Sequence, residues 1–469
     1  MLSAMNFDLD NLASILEEMP SSRSAMVGLS GGMDSIVLLH ALHQLQTEGR
    51  LGFSLRALHV NHGLQSHANN WADHCVKICS QLEIPLQIEN ANIQTTGSAT
   101  SGEASHNRGL NKIPNLENAA REVRYAAFEV NLTEGEVLLL AHHRDDQVET
   151  LLFRLMRGAG TKGLSAMPRA RKLGEGLLFR PLLDFDWSKL QNWAKLNKLQ
   201  WVVDKSNEDT SFHRNFIRHK LLPIVEQRWP NYRDSWSKTI ELSAESESLL
   251  QELAEQDFQI VESAQRTVIL LEPLRSLSKP RQRNLLRYWL KQLQLPDLGW
   301  NKLQQLCNEV VAGAANSSAI VVGEGYELLC YKSCLYVLRD VSTFSYHRAY
   351  TWNMNNTAVL DLEENGSLQI ANVVGKGLKL SVKPGLSVRY RSGGESCKLL
   401  GRPTKAVKKL MQEHNVEPWF RDRFPLLYFG EELVCIPAIG VAESYAALSG
   451  EQGILVEWLR PDLNPVAKS

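Results

Sequence analysis

The 469-residue sequence predicts an α/β architecture in which an N-terminal parallel-sheet domain is followed by a helical domain and a C-terminal α+β domain. Three observations predict it. Strand-like runs followed by helical runs recur through the first 160 residues. Long helical patterns, Glu-rich and then basic, dominate residues 233–300. After Thr351 the pattern turns to short strands separated by glycines. The expected boundaries are 1–225, 226–345 and 355–462. One growing core rarely supports this length, so several domains are expected.

Taken in order, residues 11–19 read as a short amphipathic helix. Ser24–Ser30 is an apolar strand that enters Gly31-Gly32, and an apolar helix follows from Ile36. A second strand lies in Leu55–Leu64, a helix in Trp71–Leu82 and a third strand at Leu86–Ile88. Residues 91–115 are rich in Ser, Thr, Gly and Asn and read as a long surface loop. Ala120, Val123, Ala127 and Val130 then recur at helical spacing. Val137–Ala141 is a strand and Gln147–Met156 a helix.

The chain carries 51 Lys+Arg and 52 Asp+Glu, a formal charge of -1, which by itself points to no polyanionic partner. Local composition differs: residues 376–409 hold ten Lys/Arg and only Glu395 as an acid. The seven cysteines are sparse and odd in number. They fit a reducing cytoplasm better than a disulfide framework, and their C-x-x-x-C pairs lack the second pair a zinc knuckle needs. No 18-residue apolar run suggests a membrane span.

Two clusters carry chemistry. Ser30-Gly31-Gly32-Met33-Asp34-Ser35 lies between a strand and a helix. Its glycines let the backbone approach a phosphate, and the helix N-terminus offers free N–H groups. Asp34 repels phosphate unless a cation intervenes, so Mg²⁺ is implied. The loop is neither a Walker A nor a GxGxxG motif. Taken alone, it also fits a capped Gly-Gly turn. His142-His143-Arg144-Asp145-Asp146 falls at the end of a second strand, where open α/β sheets bind ligands. Asp146 and Glu149 lie one helical turn apart. An acidic helix start is the structural alternative.

These residues resemble a known family. SGGMDS is similar to the loop of the N-type ATP pyrophosphatases, which have an adenine nucleotide alpha hydrolase-like fold. Within them the chain resembles the long bacterial form of the tRNA(Ile)-lysidine synthetases. The resemblance is carried by HVNHGL (59–64), ENAAREVRY (117–125), AHHRDDQVETLLFRLMRGAGTKGL (141–164), RPLL (180–183), WVVDKSNEDTSFHRNFIRHKLLP (201–223) and the segment 399–441. It implies ATP-dependent adenylation of C2–O of the wobble cytidine in the isoleucine tRNA with anticodon CAU. Attack by the ε-amine of free lysine would follow, releasing pyrophosphate and AMP.

By that resemblance Ser30, Gly31, Gly32, Met33, Asp34 and Ser35 bind ATP, with Asp34 also the Mg²⁺ ligand. Asp34, His142, Asp145, Asp146 and Arg214 are the catalytic candidates. His142 is the first choice for the cytosine or α-phosphate, and Asp145 and Asp146 for the lysine ammonium and the activation step. Arg121, Arg124, Arg157, Arg218, Arg402, Lys405, Lys408 and Lys409 are the tRNA-binding candidates, for which a solvated face is the alternative. ATP is the co-substrate and the setting is cytoplasmic, with no membrane partner. A homodimer stays open. The competing readings are a tRNA-thiolating relative, which would use cysteines, and a catalytically silent tRNA-binding protein.

Overall fold

A computed structural model describes residues 6–61, 68–90, 112–313, 320–339, 344 and 348–464. The chain divides into two compact units, Met1–Leu249 and Leu250–Ser469.

In the first unit the elements run α1 (Leu9–Glu17), β1 (Ser24–Gly28), α2 (Met33–Thr47), β2 (Ser54–Asn61), α3 (Ala68–Gln81), β3 (Leu86–Asn90), α4 (Lys112–Asn131), β4 (Val137–Leu139), α5 (Arg144–Met156), α6 (Thr161–Leu164), β5 (Ala170–Leu173), β6 (Gly176–Phe179) and α7 (Trp187–Leu196). The six strands form one sheet in the order β3-β2-β1-β4-β6-β5. All neighbours are parallel except the β5–β6 hairpin. Alternation along the strands explains why both faces are covered. Ala25 and Val27 enter one core and Met26 the other; Val137 and Leu139 separate from Leu138 in the same way. Helix α2 is buried on nearly every side because it sits between the sheet, α1 and α7. Gly28 ends β1 where a Cβ would come within 2.5 Å of Leu140 Cδ2 and 3.0 Å of Phe128 Cζ.

The chain proceeds from β1 to β2 to β3 on one side and then crosses to β4 on the other. The switch point therefore falls between β1 and β4, and both candidate loops leave the sheet there. Most of the loop expected at 91–115 lies outside the described residues. Helix α4 begins inside it, at Lys112, and α5 begins three residues earlier than expected, at Arg144. Residues 213–228 run as a helix of two α segments joined by a π-helical turn, Ile217–Leu221. Pro223 accounts for that turn: it has no N–H to give the carbonyl four residues back, and its ring crowds it.

The second unit contains the helix expected from the basic run, Lys279–Gln292, and a further short helix, Gly299–Gln305. Against the mainly helical reading of 226–345, it also contains a four-stranded antiparallel sheet, Val268–Leu270, Cys334–Leu338, Glu327–Tyr331 and Ile320–Val322, around a core built on Trp289. Its C-terminal part is strand-rich. There Ser367–Val374 pairs along its full length with Gln452–Leu459 over a core that includes Trp352, Leu426 and Ile454. Trp419 packs edge-on against Tyr331 and tilted against Tyr336, 5.8 and 4.7 Å between centroids, so it is a packing residue. Among the described residues no helix is long and apolar enough to cross a membrane.

Candidate active site

The loop after β1 is braced from within. Gly31 sits at φ +82, a conformation that L side chains rarely adopt, and its carbonyl accepts from Val202 N at 3.0 Å. Ser35 Oγ donates to Gly32 O at 3.0 Å and accepts from Ser30 N at 3.2 Å. Ser30 Oγ lies 3.0 Å from Ser35 Oγ and accepts from Gly32 N at 3.3 Å. The hydroxyls thus hold the loop open at the start of α2, leaving the helix N-terminus directed at the cleft. Beneath it, buried His59 is within 2.8 Å of Leu29 O through Nδ1. Gly31→Ala should strain this loop by about 1–2 kcal/mol. Turnover of ATP should fall further than the thermal midpoint, since the loop and not the core is displaced. Equal losses measured by pyrophosphate release and calorimetry would contradict this.

The loop after β4 faces it. His143 precedes α5, and its N–H donates to Asp146 Oδ2 at 3.0 Å, the reciprocal half of a helix cap. The buried His143 ring gathers three carboxylates: Nε2 is 3.8 Å from Asp34 Oδ2 and 3.4 Å from Asp146 Oδ2, and Nδ1 is 3.8 Å from Asp145 Oδ2. Asp34 and the acidic pair, distant in sequence, are thereby brought to one place. Burial raises the Asp34 pKa, His143 opposes this, and Asp146 raises it further. Its Oδ1 is buried without a hydrogen-bond partner.

Asp145 accepts from Trp187 N at 2.8 Å and Arg233 Nε at 2.7 Å. Burial pushes its pKa up, but these bonds outweigh it and hold the carboxyl below its ordinary value. Asp146 is shifted down in the same way, against burial, by His143, Arg214, His142 and Arg218. Arg214 donates to Asp146 Oδ1 at 2.6 Å and to Glu149 Oε2 at 2.8 Å. Arg218 donates to Glu149 Oε1 at 2.5 Å and Oε2 at 3.0 Å, with a longer 3.4 Å approach to Asp146. Glu149 is 1% exposed, whereas the guanidiniums are 34% and 38% exposed. Two anions thus aim two cations at the cleft, and the quartet is neutral overall.

His142 is pushed down to about 3, chiefly by burial; Asp146 opposes this, while Arg180, Arg214 and Arg121 reinforce it. It is neutral at pH 7. Its unfolded counterpart titrates near about 6.5, so the unfolded chain binds more protons between those values. Its contribution to stability is present above about 6.5 and is lost as pH falls toward the folded value. His142→Gln should therefore flatten the decline in thermal midpoint from pH 7 to 5. An unchanged decline would remove His142 from this account.

A cleft of about 1150 Å³ is lined by Ser30, Gly32, Met33, Asp34, Ser35, Arg121, Arg124, His142, Asp145, Asp146, Arg214 and Arg218, together with Glu149, Trp187 and Arg233. Arg121 lies over the Tyr125 ring at 5.0 Å, as does Arg171, and Arg180 reaches the Tyr125 hydroxyl at 3.5 Å. Of the sequence-derived candidates of the first unit, the lining lacks only Gly31, which lies within the loop itself, and Arg157. That residue caps the far end of α5, exposed and over Phe153 at 5.3 Å. In the second unit Lys405 pairs with Glu413 at 2.7 Å, while Arg402, Lys408 and Lys409 are exposed. Elsewhere in the basic strip Arg389 pairs with Glu431 and Lys398 with Glu443.

Sequence reasoning assigns no role to Trp187, Arg233 or Arg144, and it reads Glu149 only as half of a carboxylate pair with Asp146 suited to Mg²⁺, whereas in the structure both acids pair with Arg214 and Arg218. Arg144 donates to Ser237 and Asp186 and pairs with Asp234, tying α5 to the start of the long helix Tyr232–Val261. One signal is present in the spacing: Glu149 follows Asp146 by three positions, and Arg218 follows Arg214 by four, so each pair shares a helix face.

Asp204, Asn215 and Asp209 knit the loop before Arg214. Asp204 accepts from Ser206 N, Asp209 accepts from Ser211 N, and Asn215 Nδ2 donates to Ser206 O and Asp209 O. All seven cysteines are free, and burial pushes Cys75, the one beside Gly31, up to about 12. A thiol so placed is protonated and a poor sulfur nucleophile.

A braced Ser-Gly-Gly loop at a helix start, facing carboxylates and arginines at a sheet switch point, defines a nucleotide-binding α/β domain of the PP-loop class. The PP-loop domain model matches residues 6–225, the TilS substrate binding domain model 270–336 and the TilS substrate C-terminal domain model 386–458. The chain is 38% identical to the tRNA(Ile)-lysidine synthase of Coxiella burnetii, covering 96% of both chains. It is 38% identical to that of Pseudomonas aeruginosa over 94% of both, and 35% to that of Escherichia coli O157:H7 over 94% and 97%. The chain belongs to the tRNA(Ile)-lysidine synthase family.

Proposed function

We propose that this cleft adenylates the wobble cytidine of isoleucine tRNA bearing CAU and then joins free lysine to its C2 through the ε-amine. Family membership makes the chain an ATP-dependent ligase acting on tRNA(Ile). The convergence of the Ser30–Ser35 loop and Asp34 with the Asp146–Glu149–Arg214–Arg218 quartet carries the assignment of roles.

In this reading the N–H groups at the start of α2 take the pyrophosphate end of ATP. Arg214 and Arg218 face the negative charge that develops at the α-phosphate, where fixed donors lower the barrier without reorganising. Neutral His142 contacts the cytosine or the α-phosphate. Asp145 and Asp146 are the carboxylates assigned to receive the lysine ammonium, and they hold Arg233, Arg214 and Arg218 in place. Arg121 and Arg124 meet RNA phosphates at the cleft edge. Asp34 fits a Mg²⁺ ligand: it has an unpartnered carboxylate oxygen, a raised pKa and no arginine of its own. Mg²⁺ characteristically takes one or two carboxylates together with substrate phosphates, and when bound it neutralises charge on the leaving pyrophosphate. The two C-terminal segments that match the substrate-domain models hold the body of the tRNA.

Incubation with ATP, Mg²⁺, radiolabelled lysine and the CAU isoleucine tRNA transcript should place label in the RNA. Equal label in a tRNA with another anticodon, or none at all, would sink the reading. The exposed Lys408 and Lys409 test the basic strip. Changing both to Gln should flatten the slope of log affinity against log salt by about 1.4–1.8. An unchanged slope makes the strip a solvated surface.

A further inference from the structure

Helix Lys279–Gln292 carries five cations and no acid, and the structure sorts four of them into two groups. Arg281 pairs with the fully buried Asp257, and Lys279 donates to Cys307 O at 2.9 Å. Both of these serve the fold. Arg283 and Arg287 have neither a carboxylate nor a carbonyl partner among the described residues. Instead their guanidinium carbons lie 5.1 and 5.8 Å from the ring centroid of Trp300.

The two arginines are one turn apart, so they approach the indole from one helix face. The opposite face of that helix buries Leu285, Leu286 and Trp289. Trp300 stands at the start of the helix Gly299–Gln305, which turns Leu303 into the core and leaves the indole 54% exposed.

Packing alone explains this arrangement poorly. A guanidinium over an exposed ring gains only about 0.5–1 kcal/mol, and two like charges share one ring here without neutralisation. By contrast Arg275 in the same unit is satisfied by Glu272 and by the carbonyls of Val311 and Gly313. An exposed indole beside two unpaired guanidiniums matches one chemistry well. A base stacks on the ring, and the phosphates on either side of it meet the two forks. The base must be unpaired, because a ring inside a duplex has no free face.

We propose that Trp300, Arg283 and Arg287 form a docking point for an unpaired nucleotide of the RNA substrate, other than the cytidine that reacts in the first unit. The inference rests on the reading that the chain binds tRNA, and it names the residues and contact chemistry within the segment 270–336.

The test is equilibrium binding of the intact CAU isoleucine tRNA transcript to the full chain across a salt series. Trp300→Ala should weaken binding roughly tenfold with little change in salt slope, and Trp300→Phe should recover most of the loss. Arg283→Gln with Arg287→Gln should flatten the log–log salt slope by about 1.4. Thermal midpoints should not move, because these side chains are at the surface. Wild-type affinity for intact tRNA in Trp300→Ala would overturn the proposal while leaving the tRNA reading standing. Failure of the wild-type chain to bind the tRNA would overturn both.

Discussion

Asp34→Ala is expected to lower adenylation of tRNA roughly a hundred- to thousandfold, the range for removing one group that stabilises developing charge. Its affinity for tRNA should stay within about twofold. The asymmetry follows from placement. Asp34 sits in the first turn of α2, its Oδ1 is unpartnered, and its Oδ2 lies 3.8 Å from His143 Nε2. It supports no other element, so its loss should be seen at the phosphates and not in the fold. Pyrophosphate release with saturating tRNA measures the first quantity and filter retention the second. Because the wild-type carboxyl has a raised pKa, acid should protonate it earlier than an ordinary aspartate, and Mg²⁺ dependence should steepen as pH falls. Equal loss of tRNA binding and chemistry in Asp34→Ala would place Asp34 in the fold or the RNA interface instead.

Glu149→Gln should produce a different signature. The wild-type carboxylate is 1% exposed and accepts from both Arg214 and Arg218. Removing its charge leaves two guanidiniums sharing Asp146. Breaking a buried pair costs about 3–5 kcal/mol, but both arginines are about a third exposed, so about 1–3 kcal/mol is expected here. The chain should therefore fold with a lowered midpoint. Its kcat should fall at least tenfold with KM for ATP little changed, because the loop after β1 is untouched and only the aim of the arginines is lost. Glu149→Asp keeps the charge at shorter reach and should recover part of the rate. A loss confined to stability, with normal kcat, would reduce the quartet to a structural ion-pair network.

Much of this site is legible in the amino-acid sequence. SGGMDS is contiguous, and its strand-loop-helix context is local, so an apolar run at Ser24–Gly28 followed by a glycine pair suffices to place it. HHRDD announces itself in the same way at the end of β4. Legibility stops where function depends on contacts across sequence. Glu149 reads only as half of a carboxylate pair with Asp146 until Arg214 and Arg218, more than sixty positions later, fold against it. Arg144 and Arg233 look like surface cations, and only the start of helix Tyr232–Val261 gives them Asp234, Ser237 and Asp145 as company. The four-stranded sheet of the second unit is hidden for another reason. Its strands are three to five residues long, and Val268–Leu270 is far in sequence from its partner Cys334–Leu338. The basic strip 376–409 is visible as charge, but its pairing with Glu413, Glu431 and Glu443 is not.

The central claim is that ATP activates the RNA and not the amino acid. It is tested most directly by following pyrophosphate and AMP separately, using ATP labelled at the α-phosphate. With Mg²⁺ and the CAU isoleucine tRNA but without lysine, pyrophosphate should appear while the labelled adenylate stays on the RNA. Lysine added afterwards should release AMP and transfer itself to the RNA. Pyrophosphate release that requires lysine but not tRNA, with label on lysine, would contradict the account.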